Sequence, residues 1–206
     1  MKVILARHGN TFGPGDTPVW VGAREDYPLV EKGREQSTAI GAYLNRQSIM
    51  PDRIISGPLV RTREGADLIA AEIGFSGVIE IDERLKEIDY GSWGGKSDAE
   101  IEALYGADVI EDWRERTIIP DGADWSPDLA TLRQNAVSVM QEITEVPAET
   151  VLLITSNGTL RYFHEAIYDG QVDAPSAKVK TGHICCADYV KGSYMPRFWN
   201  MKPDDI

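Results

Sequence analysis

The chain has 206 residues, enough to fill one sizeable core and fewer than two full-size domains usually take. Hydrophobic residues make up 42% and charged residues 26%, near the soluble globular averages, which excludes wholesale disorder, a collagen-like chain and a disulfide scaffold. Twenty-one Lys and Arg against 33 Asp and Glu give a formal net charge of −12, which opposes adhesion to nucleic acid or to an anionic membrane.

In chain order, Lys2 to Ala6 is a short apolar run, predicted as a buried strand, and the polar Gly/Pro-containing stretch from Gly9 to Pro18 breaks it. Glu31 to Leu44 carries Ala39, Ile40, Tyr43 and Leu44 at helical spacing between Pro28 and Pro51. Arg53 to Ser56 is a second strand, Arg61 to Ile73 a helix stopped by Gly74, and Val78 to Ile81 a third short strand. Between Gly91 and Pro127 the periodicity weakens. A short helix from Ser97 to Tyr105 and a polar stretch with Trp113, Arg114, Arg116 and Trp125 read as a cap or insertion at about 96–127.

Leu129, Leu132, Ala136, Val139, Met140 and Ile143 trace a further helix, followed by a strand from Val151 to Thr155, a helix from Thr159 to Tyr168 and a last strand from His183 to Val190. Alternating strands and helices predict an α/β fold within a single domain, 1–206: a mostly parallel sheet with helices on both faces, in three layers. The adjacent Cys185 and Cys186 read as reduced core thiols, because bridging neighbours needs strained geometry and closes almost no loop. The apolar run at the N-terminus is too short for a signal peptide, and no segment approaches the length of a membrane span, so a cytoplasmic protein is expected.

Ligands of such sheets collect beyond the carboxyl ends of the strands. Arg7, His8, Gly9, Asn10 and Thr11 end the first strand, Ser56 to Arg61 follow the second, Glu87 follows the third, and Ser156, Asn157 and Gly158 end the strand from Val151. One imidazole, two guanidiniums, one carboxylate and Gly-containing turns that open helices suit a phosphoryl group. Asn157-Gly158 also matches a hairpin turn, but Leu160, Phe163, His164 and Ile167 continue with a helical period. Three scattered histidines and two vicinal cysteines give no metal-ligand spacing, and there is no nucleotide-binding P-loop, so no metal and no cofactor are expected.

Together these positions resemble the histidine phosphatase superfamily, with its phosphoglycerate mutase-like fold. The resemblance rests on Arg7-His8-Gly9 after the first strand. It extends to Asp26, Tyr27, Pro28 and Leu29 with Gly33 and Gln36, where Val30 replaces the usual Thr. Ser56, Pro58, Leu59 and Arg61 form a third match, with Gly57 in place of a second Ser, and Leu85 to Trp93 forms a fourth. The chain departs from the family where Asn157 stands in place of the second active-site histidine, and at Gly94 and Gly122 to Asp124.

The resemblance implies a metal-independent phosphatase in which His8 attacks phosphorus to give a phosphohistidine, Arg7 and Arg61 hold the nonbridging oxygens, and Glu87 protonates the leaving oxygen. Asn10, Thr11 and Asn157 would bind the substrate, a small phosphorylated metabolite. His183, at the start of the last strand, is placed to reach the same pocket, against a competing reading as a packing or surface residue that also applies to His164. The alternatives are a catalytically impaired phospholigand-binding relative, favoured by Asn157, and a phosphomutase. The reading leaves room for a homodimer and includes no nucleic acid or membrane partner.

Overall fold

Runs of β-branched and leucine residues form four of the strands that the computed structural model, describing residues 1–205, joins in one six-stranded sheet. The elements in order are β1 (Lys2–Arg7), α1 (Glu31–Arg46), β2 (Arg53–Ser56), α2 (Val60–Ile73), β3 (Ile79–Ile81), α3 (Asp98–Tyr105), α4 (Val109–Arg116), α5 (Leu129–Glu145), β4 (Thr150–Thr155), α6 (Asn157–Ile167), β5 (Ile184–Val190) and β6 (Ser193–Met201). The sheet order is β3-β2-β4-β1-β5-β6. The first four strands are mutually parallel, β5 runs antiparallel to β1, and the outermost β6 runs antiparallel to β5.

Successive side chains of a strand point to opposite faces, so alternate residues separate into two cores. Ile4, Ala6, Leu152 and Ile154 pack with Ile40 and Leu44 of α1 and Ala66, Ile69 and Ile73 of α2. Val3, Leu5, Val151 and Leu153 pack on the other face with Leu132, Ala136 and Val139 of α5 and Leu160 and Phe163 of α6. This is the expected three-layer α/β arrangement, with a mixed sheet.

The register Lys2↔Thr150 to Arg7↔Thr155 sets the ends of β1 and β4 level, and Ser56 of β2 pairs with Ile154. The turns that follow β1, β2 and β4 therefore share one edge of the sheet.

Two elements differ from the sequence expectation. The strand β6 carries Pro196 in its interior, a residue that the outermost position tolerates because one side of an edge strand needs no ladder hydrogen bonds. The helix α4 buries only Ile110 and Trp113 in eight residues, too few apolar positions to mark a helical face. Around it, Trp20, Tyr90, Trp93, Trp113 and Trp125 meet edge to face with centroids 4.8 to 5.0 Å apart in five of their contacts. That cluster attaches the segment carrying α3 and α4 to the sheet edge. Among the described residues no helix is long and apolar enough to cross a membrane.

Candidate active site

The first turn beyond β1 sets the geometry. His8 N–H continues the ladder to Thr155 O at 3.1 Å, and the loop then crosses the first turn of α1 so closely that a Cβ on Gly9 would lie 2.1 Å from Gly33 O. Only glycine permits that backbone approach. His8 Nδ1 lies 2.7 Å from Gly9 O, and because a carbonyl only accepts, Nδ1 carries the proton. The lone pair of the neutral ring is then on Nε2. Burial, reinforced by the charges of Arg61 and Arg7, holds the His8 pKa well below 6.5, so the ring is neutral at physiological pH.

Two guanidiniums flank this ring. Arg7 Nη1 donates to Val179 O at 2.6 Å, while Arg7 Nε is buried without a partner among the described residues. Burial pushes the Arg7 pKa down to about 10, against the opposing pull of Glu87, which leaves it cationic at neutral pH. Arg61, on the first turn of α2, is buried and donates to Gly22 O at 2.7 Å and Glu25 O at 3.1 Å. The loop that supplies those carbonyls is itself tied to α2, since Asp26 Oδ1 accepts the Val60 N–H at 2.7 Å. Burial lowers the Arg61 pKa, and Glu87 and Asp26 oppose that effect.

Both asparagines are oriented by their oxygens. Asn10 Oδ1 accepts from the Thr181 hydroxyl, and Asn157 Oδ1 accepts the Val179 N–H at 2.9 Å, so each amide nitrogen remains as the donor for a ligand. Glu87 is buried, with Oε1 accepting Ile88 N–H at 2.9 Å and Oε2 accepting Gly158 N–H at 3.3 Å. A Cβ on Gly158 would stand 2.4 Å from both Glu87 Oε1 and the Tyr90 hydroxyl, so glycine at the start of α6 admits both groups. Burial and the Glu87 charge push the Tyr90 pKa well above 10 and keep its hydroxyl protonated.

A cavity of about 780 Å³ is lined by Arg7, His8, Asn10, Thr11, Arg61, Glu87 and Asn157, which brings seven of the eight sequence-predicted site residues together. His183 does not join them. Its Nδ1 is 3.0 Å from Asn200 O, and it lends the site only its backbone, accepting the Arg7 N–H at 3.1 Å. His164 stacks on Tyr168 at 4.5 Å and meets Trp199 edge on.

Of the aromatic and basic residues expected near the cap, Trp113 and Arg114 line the cavity. Arg116 instead pairs with Asp112, and Trp125 sits in the aromatic cluster. Sequence reasoning missed Phe12, Trp20, Tyr90 and Asp98 in the wall. Tyr90 and Trp20 had a signal, the first within the Leu85 to Trp93 run and the second within the loop after β1. Among the described residues, no three His, Cys, Asp or Glu side chains are grouped as a metal site would require.

The sequence profile of the histidine phosphatase superfamily (branch 1) matches residues 3–202. A 2,3-bisphosphoglycerate-dependent phosphoglycerate mutase of Methylobacterium radiotolerans is 27% identical over 184 residues, covering 87% of this chain and 85% of the mutase. A mitochondrial serine/threonine-protein phosphatase, Pgam5, of Drosophila persimilis is 38% identical over 73 residues, which is 35% of this chain, and that match spans only 23% of the fly protein. In fold, the structure is similar to a mycobacterial glucosyl-3-phosphoglycerate phosphatase in complex with VO3, with a TM-score of 0.77, 21% identity, and coverage of 97% of this chain and 98% of that one.

Proposed function

The chain belongs to the histidine phosphatase superfamily, and we propose that within it the protein is a metal-independent phosphatase that hydrolyses a small phosphomonoester through a phosphohistidine on His8. The observation that carries this reading is the His8 hydrogen bond to Gly9 O, which reserves Nε2 as an unprotonated nucleophile in the cavity. In the first step Nε2 attacks phosphorus in line, the P–N bond forms, the ester P–O bond breaks, and Glu87, having taken up a proton, gives it to the leaving oxygen. In the second step Glu87, now a carboxylate, takes a proton from water as the water oxygen attacks phosphorus. The P–N bond breaks and neutral His8 returns.

Arg7 and Arg61 supply fixed positive charge to the nonbridging oxygens throughout, in a site where burial strengthens each interaction. The amide nitrogens of Asn10 and Asn157 add neutral donors, and Asn157, the first residue of α6, brings the start of that helix to the cavity wall. Hydrolysis of an activated aryl phosphate that survives a chelator and disappears in His8→Ala would support this reading. Undiminished activity in His8→Ala would refute it.

A second reading rests on Asn157, whose amide cannot carry the charge of an imidazolium. On that reading the chain binds a phosphate ester through Arg7 and Arg61 without turning it over, and wild type and His8→Ala would be equally inert.

A further inference from the structure

Building on the phosphatase reading, we infer that the leaving group is an uncharged, apolar or aromatic alcohol, selected by an outer cavity wall whose cations are already paired. Beyond the cradle of Arg7 and Arg61, the cavity meets two more cations, Arg114 and Lys178. Arg114 is held by both oxygens of Asp98, at 2.5 and 2.9 Å, and Lys178 Nζ donates to Glu115 Oε1 at 2.8 Å. Ion pairs this exposed are weak, so breaking the bonds is not the main obstacle to a second anion. The obstacle is that Asp98 itself lines the cavity: an anion that captured Arg114 would still face the carboxylate it displaced.

The same carboxylate fixes the apolar part of the wall. Asp98 Oδ1 accepts the Trp20 indole N–H at 2.9 Å, which uses the only polar atom of that side chain. The Arg114 guanidinium lies 5.5 Å from the Trp20 ring centroid, and the Trp20 backbone is bonded to Lys96 O and Gly95 N. Phe12, Val19 and Val21 continue the surface beside it. The substrate therefore meets two cations where its phosphoryl group sits and aromatic rings with a compensated charge balance where its alcohol sits. A ligand with a carboxylate or a second phosphate on that alcohol would meet the Asp98 carboxylate beside Arg114 and would have to compete with Glu115 for Lys178.

The test uses binding, so that it does not depend on turnover. Calorimetry on the full chain with methylphosphonate, benzylphosphonate and 4-carboxybenzylphosphonate should show the benzyl compound binding at least about tenfold more tightly than either of the others. Asp98→Asn should close the gap between the benzyl and carboxybenzyl compounds by several-fold, since it removes the repelling charge and frees Arg114. Trp20→Leu should close the gap between benzyl and methyl, and keeps an apolar side chain in case a smaller one unfolds the wall.

Equal or tighter binding of the carboxybenzyl compound, benzyl no tighter than methyl, or an unchanged ratio in Asp98→Asn would overturn the inference. Absence of binding by all three would remove the phosphoryl site itself. A protein that binds with the expected order yet hydrolyses no ester would refute the phosphatase reading and leave the recognition intact.

Discussion

The Val179 N–H donates to Asn157 Oδ1 at 2.9 Å, and this one bond decides which end of the asparagine faces the cavity. The Val179 carbonyl holds Arg7 Nη1 at 2.6 Å, so the backbone of a single residue aims a neutral donor and a cationic one at the same place. Asn157→Ala deletes that donor and should lower kcat on an aryl phosphate by roughly ten- to a thousandfold. Asn157→Asp keeps the bond to Val179 but turns a negative oxygen towards the phosphoryl group, and should be worse than alanine. Asn157→His should raise turnover, because one ring nitrogen can accept from Val179 while the other reaches farther and can be protonated. Steady-state rates for the three variants check the order, and an Asn157→His rate equal to wild type would show that this position does not limit the chemistry.

Histidine burial fixes a pH dependence of stability. The pKa of His8 is held well below 6.5, first by burial and then by Arg61 and Arg7, and burial also lowers that of His164. Below about pH 6.5 the unfolded chain binds protons that these native rings refuse, so stability is full above that pH and falls as the pH drops towards the folded-state values. The slope reaches at most about 1.4 kcal/mol per pH unit for each histidine. Denaturant melts between pH 7 and 5 should show this loss, and His8→Asn should reduce the slope. A slope unchanged by that substitution would mean that His8 is not neutral in the native protein.

Gly158 is required by what lies against it. Alanine there would place a methyl 2.4 Å from Glu87 Oε1 and from the Tyr90 hydroxyl, so the carboxylate must move and its bond to Gly158 N–H is lost. Gly158→Ala should cost ~1–3 kcal/mol of stability through overpacking. If Glu87 is the general acid, kcat should also fall more for glycerol phosphate, whose leaving oxygen needs a proton, than for 4-nitrophenyl phosphate. Equal losses for the two substrates would place Glu87 outside proton transfer.

One departure from the family pattern has a structural cost. Val30 is the N-cap of α1, in an extended conformation with no side-chain hydrogen bond to the helix. Val30→Thr has nearly the same shape and adds an oxygen that can accept a first-turn N–H, which should stabilise the protein by about 1 kcal/mol and raise Tm by roughly 2–4 °C. Thermal unfolding of the two proteins measures it.

The parts of the fold legible in the sequence are those where one residue type serves one purpose. The run Val3-Ile4-Leu5-Ala6 read as a buried strand, and Arg7-His8-Gly9 behind it put a guanidinium and an imidazole at its end. Val179 was invisible because it acts through its N–H and carbonyl, which every residue except proline possesses. The backbone oxygens of Gly22 and Glu25 that steer Arg61 were hidden for the same reason. Asp98 looked like one of many surface carboxylates, and only folding of α3 against the loop after β1 and against α4 brings it to Trp20 and Arg114. His183 failed in the opposite way: its position in the chain was right for the site, but its ring turns to Asn200.

The stereochemical course at phosphorus tests the phosphohistidine mechanism most directly, whether or not the intermediate accumulates. With a phosphomonoester made chiral by oxygen isotopes and transferred to an alcohol acceptor, two successive in-line displacements through His8 Nε2 should return the phosphoryl group with net retention. Net inversion would mean a single direct transfer to the acceptor and would contradict a covalent role for His8.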